Sequence, residues 1–121
     1  MQSRFALVLL ILSSPALADG DEIAPVPIAA MIGHPYRGDD TPSRIHFINV
    51  RTEPVQVVWI AFDGSERPYT TLNPGQEYVQ PTYVGHRWLV KVRDSGEPVE
   101  AFISTRSGIR DRGTAQIAVI R

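Results

Sequence analysis

The chain has 121 residues, with 12 basic and 13 acidic side chains and no cysteine. This length suits one domain of ordinary size, and the near balance of charge gives no reason to expect nucleic acid or an anionic membrane as a partner. The absence of cysteine excludes disulfides, a thiol nucleophile and cysteine-based metal sites.

The N-terminal residues are typical of a secretory signal peptide. Arg4 precedes the apolar run 5–12, and residues 16–18, Ala-Leu-Ala, offer small side chains at a cleavage site. Eight apolar residues are too few to span a bilayer, which needs about 20. We therefore expect no stable membrane insertion, and a short membrane anchor is the alternative interpretation. Removal of residues 1–18 would leave an exported protein, periplasmic or secreted, with 103 residues, 11 cations and 13 acids.

Residues 19–42 are rich in Pro, Gly, Ala and Asp and show no sustained periodicity. This composition predicts a flexible N-terminal arm that acts as a linker or docks loosely. His34-Pro35-Tyr36 could still pack back onto the domain. The neighbouring carboxylates of Asp39 and Asp40 are interpreted as solvated charge.

From residue 43 onward the pattern is that of β-strands. Branched and aromatic residues dominate short runs, and the run 55–62 is apolar on both faces, as in a strand buried at the centre of a sandwich. The predicted strands cover residues 44–50, 55–62, 77–83, 86–92, 98–105 and 115–120. Alternation along the fourth of these places His86 and Trp88 on the same face as Val90.

Turn sequences separate these runs, at Asp63-Gly64, Asn73-Pro74-Gly75, Asp94-Ser95-Gly96 and Arg112-Gly113. No stretch after the signal shows a convincing helical repeat. Six or seven short strands at regular spacing predict an all-β fold over residues 43–121, an immunoglobulin-like antiparallel β-sandwich of about seven strands. Pro81 interrupts its strand and therefore predicts a sheet edge or a bulge.

Little in the sequence indicates catalysis or a metal. His34, His46 and His86 are dispersed, whereas metal ligands usually cluster at short spacing. The nucleophile-elbow, zinc-protease and phosphate-loop motifs are absent. We therefore expect no enzyme, no cofactor and no metal site.

Aromatic and hydrogen-bonding residues instead concentrate in the centre of the chain. Within 30 residues the sequence places Trp59, Tyr69, Thr82, Tyr83, His86 and Trp88. Two interpretations stay open from the residues alone. Sandwiches commonly bury a tryptophan, so Trp59 and Trp88 suit the core and His86 suits a strand end facing water. The same side chains also suit the walls of a binding pocket.

The order of these residues resembles the β domain of the von Hippel-Lindau family. The shared pattern is W-x-x-F-D-G, then P-Y-x-T-L-x-P-G, then Y-x-G-H-x-W-L, and it begins at Trp59, Pro68 and Tyr83. "FINVR" at 47–51 is similar to the family's first strand. The likeness covers roughly residues 43–105, and so many fixed points at matched spacing make it specific.

The resemblance implies a pocket for a peptide that contains 4-hydroxyproline. Trp59, Tyr69 and Trp88 would enclose the pyrrolidine ring, with Tyr83 beside them. Thr82 and His86 would hydrogen-bond the ligand hydroxyl. In a buried site such a pair can supply both a donor and an acceptor to a hydroxyl.

Four departures from the family pattern accompany this likeness. Thr82 stands where the family has serine, Pro81 replaces a histidine beside the bound peptide, and Ala61 replaces a polar residue. The family's helical domain, which binds elongin C and recruits a ubiquitin ligase, has no counterpart in the pattern of residues 105–121. We therefore expect neither elongin C nor a ubiquitin ligase as a partner.

Two functions follow from these observations. The first is a non-catalytic, exported binding module for a peptide or protein ligand, possibly one that contains hydroxyproline or a similar hydroxylated ring. The second is a structural or interaction domain that retains the fold without this ligand and holds a partner along a sheet edge.

Overall fold

A computed structural model of the protein describes residues 20–32, 34–109 and 115–121. Its seven strands are β1 (Pro42–Asn49), β2 (Val55–Ile60), β3 (Glu66–Leu72), β4 (Glu77–Tyr83), β5 (Arg87–Val92), β6 (Pro98–Ile103) and β7 (Gln116–Ile120). Two short 3-10 helices are η1 (Ile28–Ala30) and η2 (Arg106–Ile109). None of the described helices is long and apolar enough to cross a membrane. The predicted signal peptide and the Arg112-Gly113 turn lie outside the described residues.

The strands form two sheets, ordered β4-β1-β7 and β3-β2-β5-β6. The predicted all-β sandwich is therefore confirmed. Strands within each sheet pair antiparallel except β1 and β7, which run parallel. The six strands expected from the sequence are present, with ends that differ by at most two residues. Pro81 lies in β4, which is an edge strand as predicted.

The core between the sheets is built around three rings. Phe47 of β1 packs edge-on against Trp88 of β5 at 5.9 Å and against Phe102 of β6 at 6.2 Å between ring centroids. The apolar side chains of β1 alternate with partly buried ones, so Ile45 and Phe47 share the inner face. These rings hold the two sheets together directly beneath the site described below.

The N-terminal segment packs against the outer face of the four-stranded sheet, in contrast to the flexible arm expected from its composition. Met31 is 1% exposed and clusters with Val58, Ile60 and Leu89. The Val26 N–H donates to the carbonyl of residue 101 at 2.8 Å. The outer face of β2 and β5 carries the apolar side chains of Val58, Ile60 and Leu89 among polar ones, and these apolar side chains need a cover. The arm provides it through isolated apolar residues without a period. The division of the chain at residues 18 and 42 stays a prediction.

Strand β3 was not among the predicted runs. Most of its side chains are exposed, and it contains a proline, so it lacks the alternation that reveals a half-buried strand. It forms the edge of its sheet, where proline is tolerated. Its pairing with β2 shifts register at Val57/Val58, and this irregularity shapes the site.

Candidate functional site

The site lies where the chain passes from one sheet to the other. β4 ends at Tyr83 and β5 begins at Arg87, and these strands belong to different sheets. The His86 N–H donates to the Tyr83 carbonyl at 3.1 Å, and Gly85 has φ of 87°. A positive φ at the third position is what a type II turn needs, and glycine adopts it without strain. The turn brings the rings of Tyr83 and His86 to 5.2 Å.

Sheet register places the other aromatic residues beside this turn. Trp59 of β2 lies directly opposite Trp88 of β5. Across from β2, Thr70 pairs with Val57 while residue 68 pairs with Val58, so Tyr69 is the extra residue of a bulge. Bulges commonly redirect a side chain. Here the ring of Tyr69 meets the Trp88 indole edge-on at 5.1 Å.

These side chains enclose a cavity of about 200 Å³. Its lining consists of Trp59, Tyr69, Pro81, Thr82, Tyr83, His86 and Trp88. All six residues predicted for the site therefore meet in one cavity, and their role toward a ligand stays a prediction. We call this cavity the ring pocket. Pro81, which was predicted to mark a sheet edge or a bulge and which replaces a histidine of the family pattern, is the additional wall.

The floor of the ring pocket carries one buried hydrogen bond. The Trp88 indole N–H donates to Thr82 Oγ1 at 3.0 Å, and the two residues are 2% and 5% exposed. The core interpretation of Trp88 is confirmed, because its indole belongs to the core cluster; it also lines the cavity, and its role toward a ligand stays a prediction. The Thr82 hydroxyl accepts from the indole and so retains its own proton to donate.

His86 is held between rings on three sides. Its imidazole stacks on Trp59 with 18° between the planes at 5.3 Å, and Phe62 meets it edge-on at 5.1 Å. Burial lowers the pKa of His86 below its ordinary value of 6.5, so the neutral ring predominates at pH 7. Neither ring nitrogen hydrogen-bonds to another described residue. The imidazole can therefore offer an acceptor to a ligand.

A second cavity of about 390 Å³ adjoins the ring pocket and shares Tyr83 and His86 with it. Its other lining residues are Asp39, Asp40 and Phe62. We call it the acidic pocket. Phe62 belongs to the W-x-x-F-D-G pattern, so the sequence carried a signal for it. Nothing in the composition of the arm distinguished the two aspartates from solvated charge.

The arm is held beside both pockets by backbone hydrogen bonds, from the Tyr36 N–H to the Phe62 carbonyl and from the Asp39 N–H to the Val84 carbonyl, both at 3.0 Å, and by side-chain contacts. The Tyr36 hydroxyl donates to the Ile60 carbonyl, and its ring lies under the Arg87 guanidinium at 4.2 Å. Burial raises the pKa of Tyr36, and the hydrogen bond from the Arg87 backbone N–H at 3.3 Å opposes this only in part. The buried Trp59 Nε1 has no hydrogen-bond partner among the described residues. Gly38 approaches so closely that a Cβ there would lie 2.9 Å from His86 Cδ2.

Among the described residues, no group of His, Asp and Glu side chains could hold a metal ion.

Comparison with known families identifies the domain. The family model of the VHL beta domain matches residues 28–104, which is more than half of the chain.

The chain belongs to the VHL beta domain family.

The matched region begins in the arm at residue 28 and ends just after β6, so it contains every lining residue of both pockets. The VHL beta domain is a module that binds proteins and peptides, and the recognition function is therefore the one this chain shares with its family.

Proposed function

We propose that the protein is an exported, non-catalytic module that binds a peptide containing hydroxyproline. The observation that carries this proposal is the ring pocket, in which the Thr82 hydroxyl and the His86 imidazole line one aromatic cavity. Family membership supports a peptide or protein ligand, and the chemistry of the cavity supports the narrower choice.

The size and walls of the ring pocket favour one saturated ring. Its volume of about 200 Å³ lies below the ~300–1,000 Å³ typical of sites for drug-sized ligands. Trp59, Tyr69 and Trp88 offer stiff apolar surface on several sides. A five-membered aliphatic ring fits such walls better than a flexible chain, because it loses little conformational entropy when it is enclosed.

The polar groups favour a hydroxyl on that ring. Thr82 can donate its proton, and neutral His86 can accept one, so together they satisfy a group that both accepts and donates. An unhydroxylated proline would leave the Thr82 proton without an acceptor and the His86 acceptor without a donor, both shielded from water. Each such loss costs about 1–3 kcal/mol, which makes a preference of about tenfold or more attainable.

The edge of β4 supports a peptide as the carrier of that ring. The Val84 N–H donates to the Thr41 carbonyl at 3.0 Å, and hydrogen-bonded and non-hydrogen-bonded residues alternate along an antiparallel pair. The backbone groups of Val79, Pro81 and Tyr83 therefore point away from β1. An extended peptide can add there as a further strand. Pro81 has no N–H to offer, and its carbonyl, which already accepts from Gln80 Nε2 at 2.7 Å, has one lone pair left for a peptide.

Calorimetry with two capped peptides that differ only in the 4-hydroxyl of one proline tests the proposal. We expect the hydroxylated peptide to bind at least about tenfold more tightly. His86→Phe keeps an aromatic ring at the position and removes its acceptor, so it should reduce this preference. Equal affinity for the two peptides, or no binding of either, would refute hydroxyproline recognition.

The second candidate is an interaction domain that holds a partner without this ligand. Pro81 favours it, because the missing N–H weakens strand addition at the middle of the free edge of β4. His86→Ala separates the two functions. It should abolish binding of the hydroxylated peptide, whereas a partner held elsewhere on the surface would bind the variant as well as the original protein.

Export is proposed from residues 1–18 alone, which carry one cation, a short apolar run and a small-residue cleavage site. A fusion of these residues to a reporter that is active only outside the cytoplasm tests it. The matched control replaces Leu9 and Leu10 by arginine, which interrupts the apolar run. Equal reporter activity from both fusions would contradict export through this segment.

A further inference from the structure

We infer that the acidic pocket binds a cationic side chain, lysine or arginine, carried by the same ligand whose ring enters the ring pocket. This inference rests on the proposed function for the position of the cation relative to the ring. Three observations carry it together, namely the cavity itself, its exposed aromatic surface and the negative charge that its described lining residues leave unbalanced.

The aromatic surface is unusual for a side of the domain that faces solvent. Phe62 is 43% exposed and Tyr83 is 44% exposed, although both are large and largely apolar. Phe62 is also held in place, since its ring meets Tyr36 at 5.2 Å, Trp59 at 5.5 Å and His86 at 5.1 Å. Rigid, accessible ring faces attract cations through their quadrupole.

Negative charge lies next to these rings. Asp39 and Asp40 line the cavity, and among the described residues no lysine or arginine does, while the His86 imidazole that also lines it is mostly neutral at pH 7. Hydrogen bonds from Thr41, first from its side chain and then from its backbone, lower the pKa of Asp39, so this carboxylate is ionised at pH 7. In the described part of the chain, no residue forms a hydrogen bond or ion pair with the Asp40 side chain.

One carboxylate already contacts a cation of the protein itself. Arg106 Nη2 lies 3.3 Å from Asp39 Oδ2, and the Arg106 side chain is 68% exposed. Arg106 does not line the cavity. Within the described part of the chain, it therefore balances part of the charge of Asp39 and leaves that of Asp40. A ligand cation would face the rings on one side and an unbalanced carboxylate on the other.

The two pockets are close enough to bind neighbouring residues of one peptide. They share the rings of Tyr83 and His86 as a common wall. A basic residue one or two positions from the hydroxyproline therefore reaches the acidic pocket from an extended backbone, in which adjacent residues are about 3.3 Å apart along the chain. The acidic pocket would thus add a charge requirement to recognition of the ring.

The experiment compares four capped peptides, with hydroxyproline or proline at one position and lysine or norleucine beside it. Norleucine keeps the length of lysine and removes the charge. We expect lysine to improve affinity about three- to tenfold, the range of an exposed cation–π contact joined to an ion pair. Both orders of the two residues are tested, because the direction of the peptide is open.

Single substitutions test whether the acidic pocket causes the preference for lysine over norleucine. Asp40→Asn should reduce the ratio between lysine and norleucine peptides toward one. Arg106→Gln should raise this ratio, because it releases Asp39 from its own partner. Glu97→Gln is the matched control, since it removes one exposed carboxylate in the β5–β6 connection, away from both pockets. A ratio near one in the original protein, or one that Asp40→Asn leaves unchanged, would overturn the inference.

The four peptides distinguish absence of a cation site from absence of hydroxyproline binding. A preference for hydroxyproline with no preference for lysine would remove the cation site and leave the ring pocket intact. If no peptide binds, tetramethylammonium and its neutral match tert-butanol test the acidic pocket alone. The aromatic NMR signals of Phe62 and Tyr83 should respond to the cation and respond less in Asp40→Asn. Equal responses to both probes would overturn the inference.

Discussion

Trp88 and Thr82 connect the two sheets through one buried hydrogen bond, from the indole Nε1 to Oγ1 at 3.0 Å. Trp88 lies in the four-stranded sheet and Thr82 in the three-stranded sheet. The bond fixes the threonine rotamer at the floor of the ring pocket and commits its oxygen as an acceptor. It therefore contributes to the fold and, under the proposed function, to recognition of the ligand, and substitution can separate the two effects.

Thr82→Val should lower the free energy of unfolding by about 1–3 kcal/mol, because it leaves the buried indole N–H without a partner at nearly unchanged volume. Urea unfolding monitored by tryptophan fluorescence measures the change. Thr82→Ser keeps the hydroxyl and is the matched control, with a smaller effect expected. A valine variant as stable as the original protein would show that this bond contributes nothing to the fold.

His86→Phe should leave the fold intact and remove most discrimination between hydroxyproline and proline. A phenyl ring preserves the stacking on Trp59 at 5.3 Å but offers no acceptor to a ligand hydroxyl. Loss of one hydrogen bond to a buried group corresponds to about 1–3 kcal/mol, or about fivefold to more than a hundredfold in relative affinity. Calorimetry with the matched peptides measures the ratio. An unchanged ratio would assign recognition to other groups.

Ligand binding should weaken in acid. Burial lowers the pKa of His86 below 6.5, so the ring is neutral above that pH and binding through its acceptor is constant there. Binding decreases as the pH falls through the lowered pKa, because a protonated ring can only donate. Stability changes in the same direction, since below pH 6.5 the unfolded chain takes up this proton before the folded protein does. Affinities from pH 5 to pH 8 test it, and His86→Phe should lose the pH dependence of binding.

The sequence predicted the sandwich and the members of the ring pocket for different reasons. Alternating and doubly apolar runs identified six strands, since burial constrains their side chains directly. The pocket came from the spacing of Trp59, Tyr69 and the 82–88 segment, which only a family resemblance could bring together. Register then explains the spacing, because Trp59 and Trp88 are direct partners across β2 and β5.

The sequence did not predict β3 or the packing of the arm, because both depend on contacts between residues that follow no regular spacing along the chain. β3 is an exposed edge strand, so its formation rests on backbone pairing with β2 and not on buried side chains. The arm packs through single residues such as Met31 and Tyr36, whose irregular spacing follows the shape of the sheet beneath them. The role proposed for Asp39 and Asp40 could not be predicted from the sequence, because it depends on the aromatic rings that this packing places beside them.

Gly38→Ala should weaken binding of the hydroxylated peptide. The loss of binding free energy should exceed the loss in the free energy of unfolding. An added Cβ would lie 2.8 Å from Phe62 Cε1 and 2.9 Å from His86 Cδ2, so these rings must shift. Both rings line the acidic pocket and His86 also lines the ring pocket. Calorimetry and thermal unfolding measure the two effects. Gly96→Ala is a contrasting control, because nothing lies near its Cβ and its positive φ costs stability without touching the pockets. Full affinity in Gly38→Ala would show that the arm does not control the site.

Met31→Ala should lower the free energy of unfolding by about 2–5 kcal/mol, the range for removal of a buried methionine side chain. Met31 is 1% exposed and covers Val58, Ile60 and Leu89 on the outer face of the four-stranded sheet. Ala29→Ser, on the exposed surface of η1, is the control and should change stability little. Urea unfolding of the two variants distinguishes a packed arm from a tether. Because the same arm carries Gly38, Asp39 and Asp40, a Met31→Ala variant that still folds should also bind the lysine peptide less tightly. Original stability in this variant would mean that the arm is a flexible linker, as its composition first indicated.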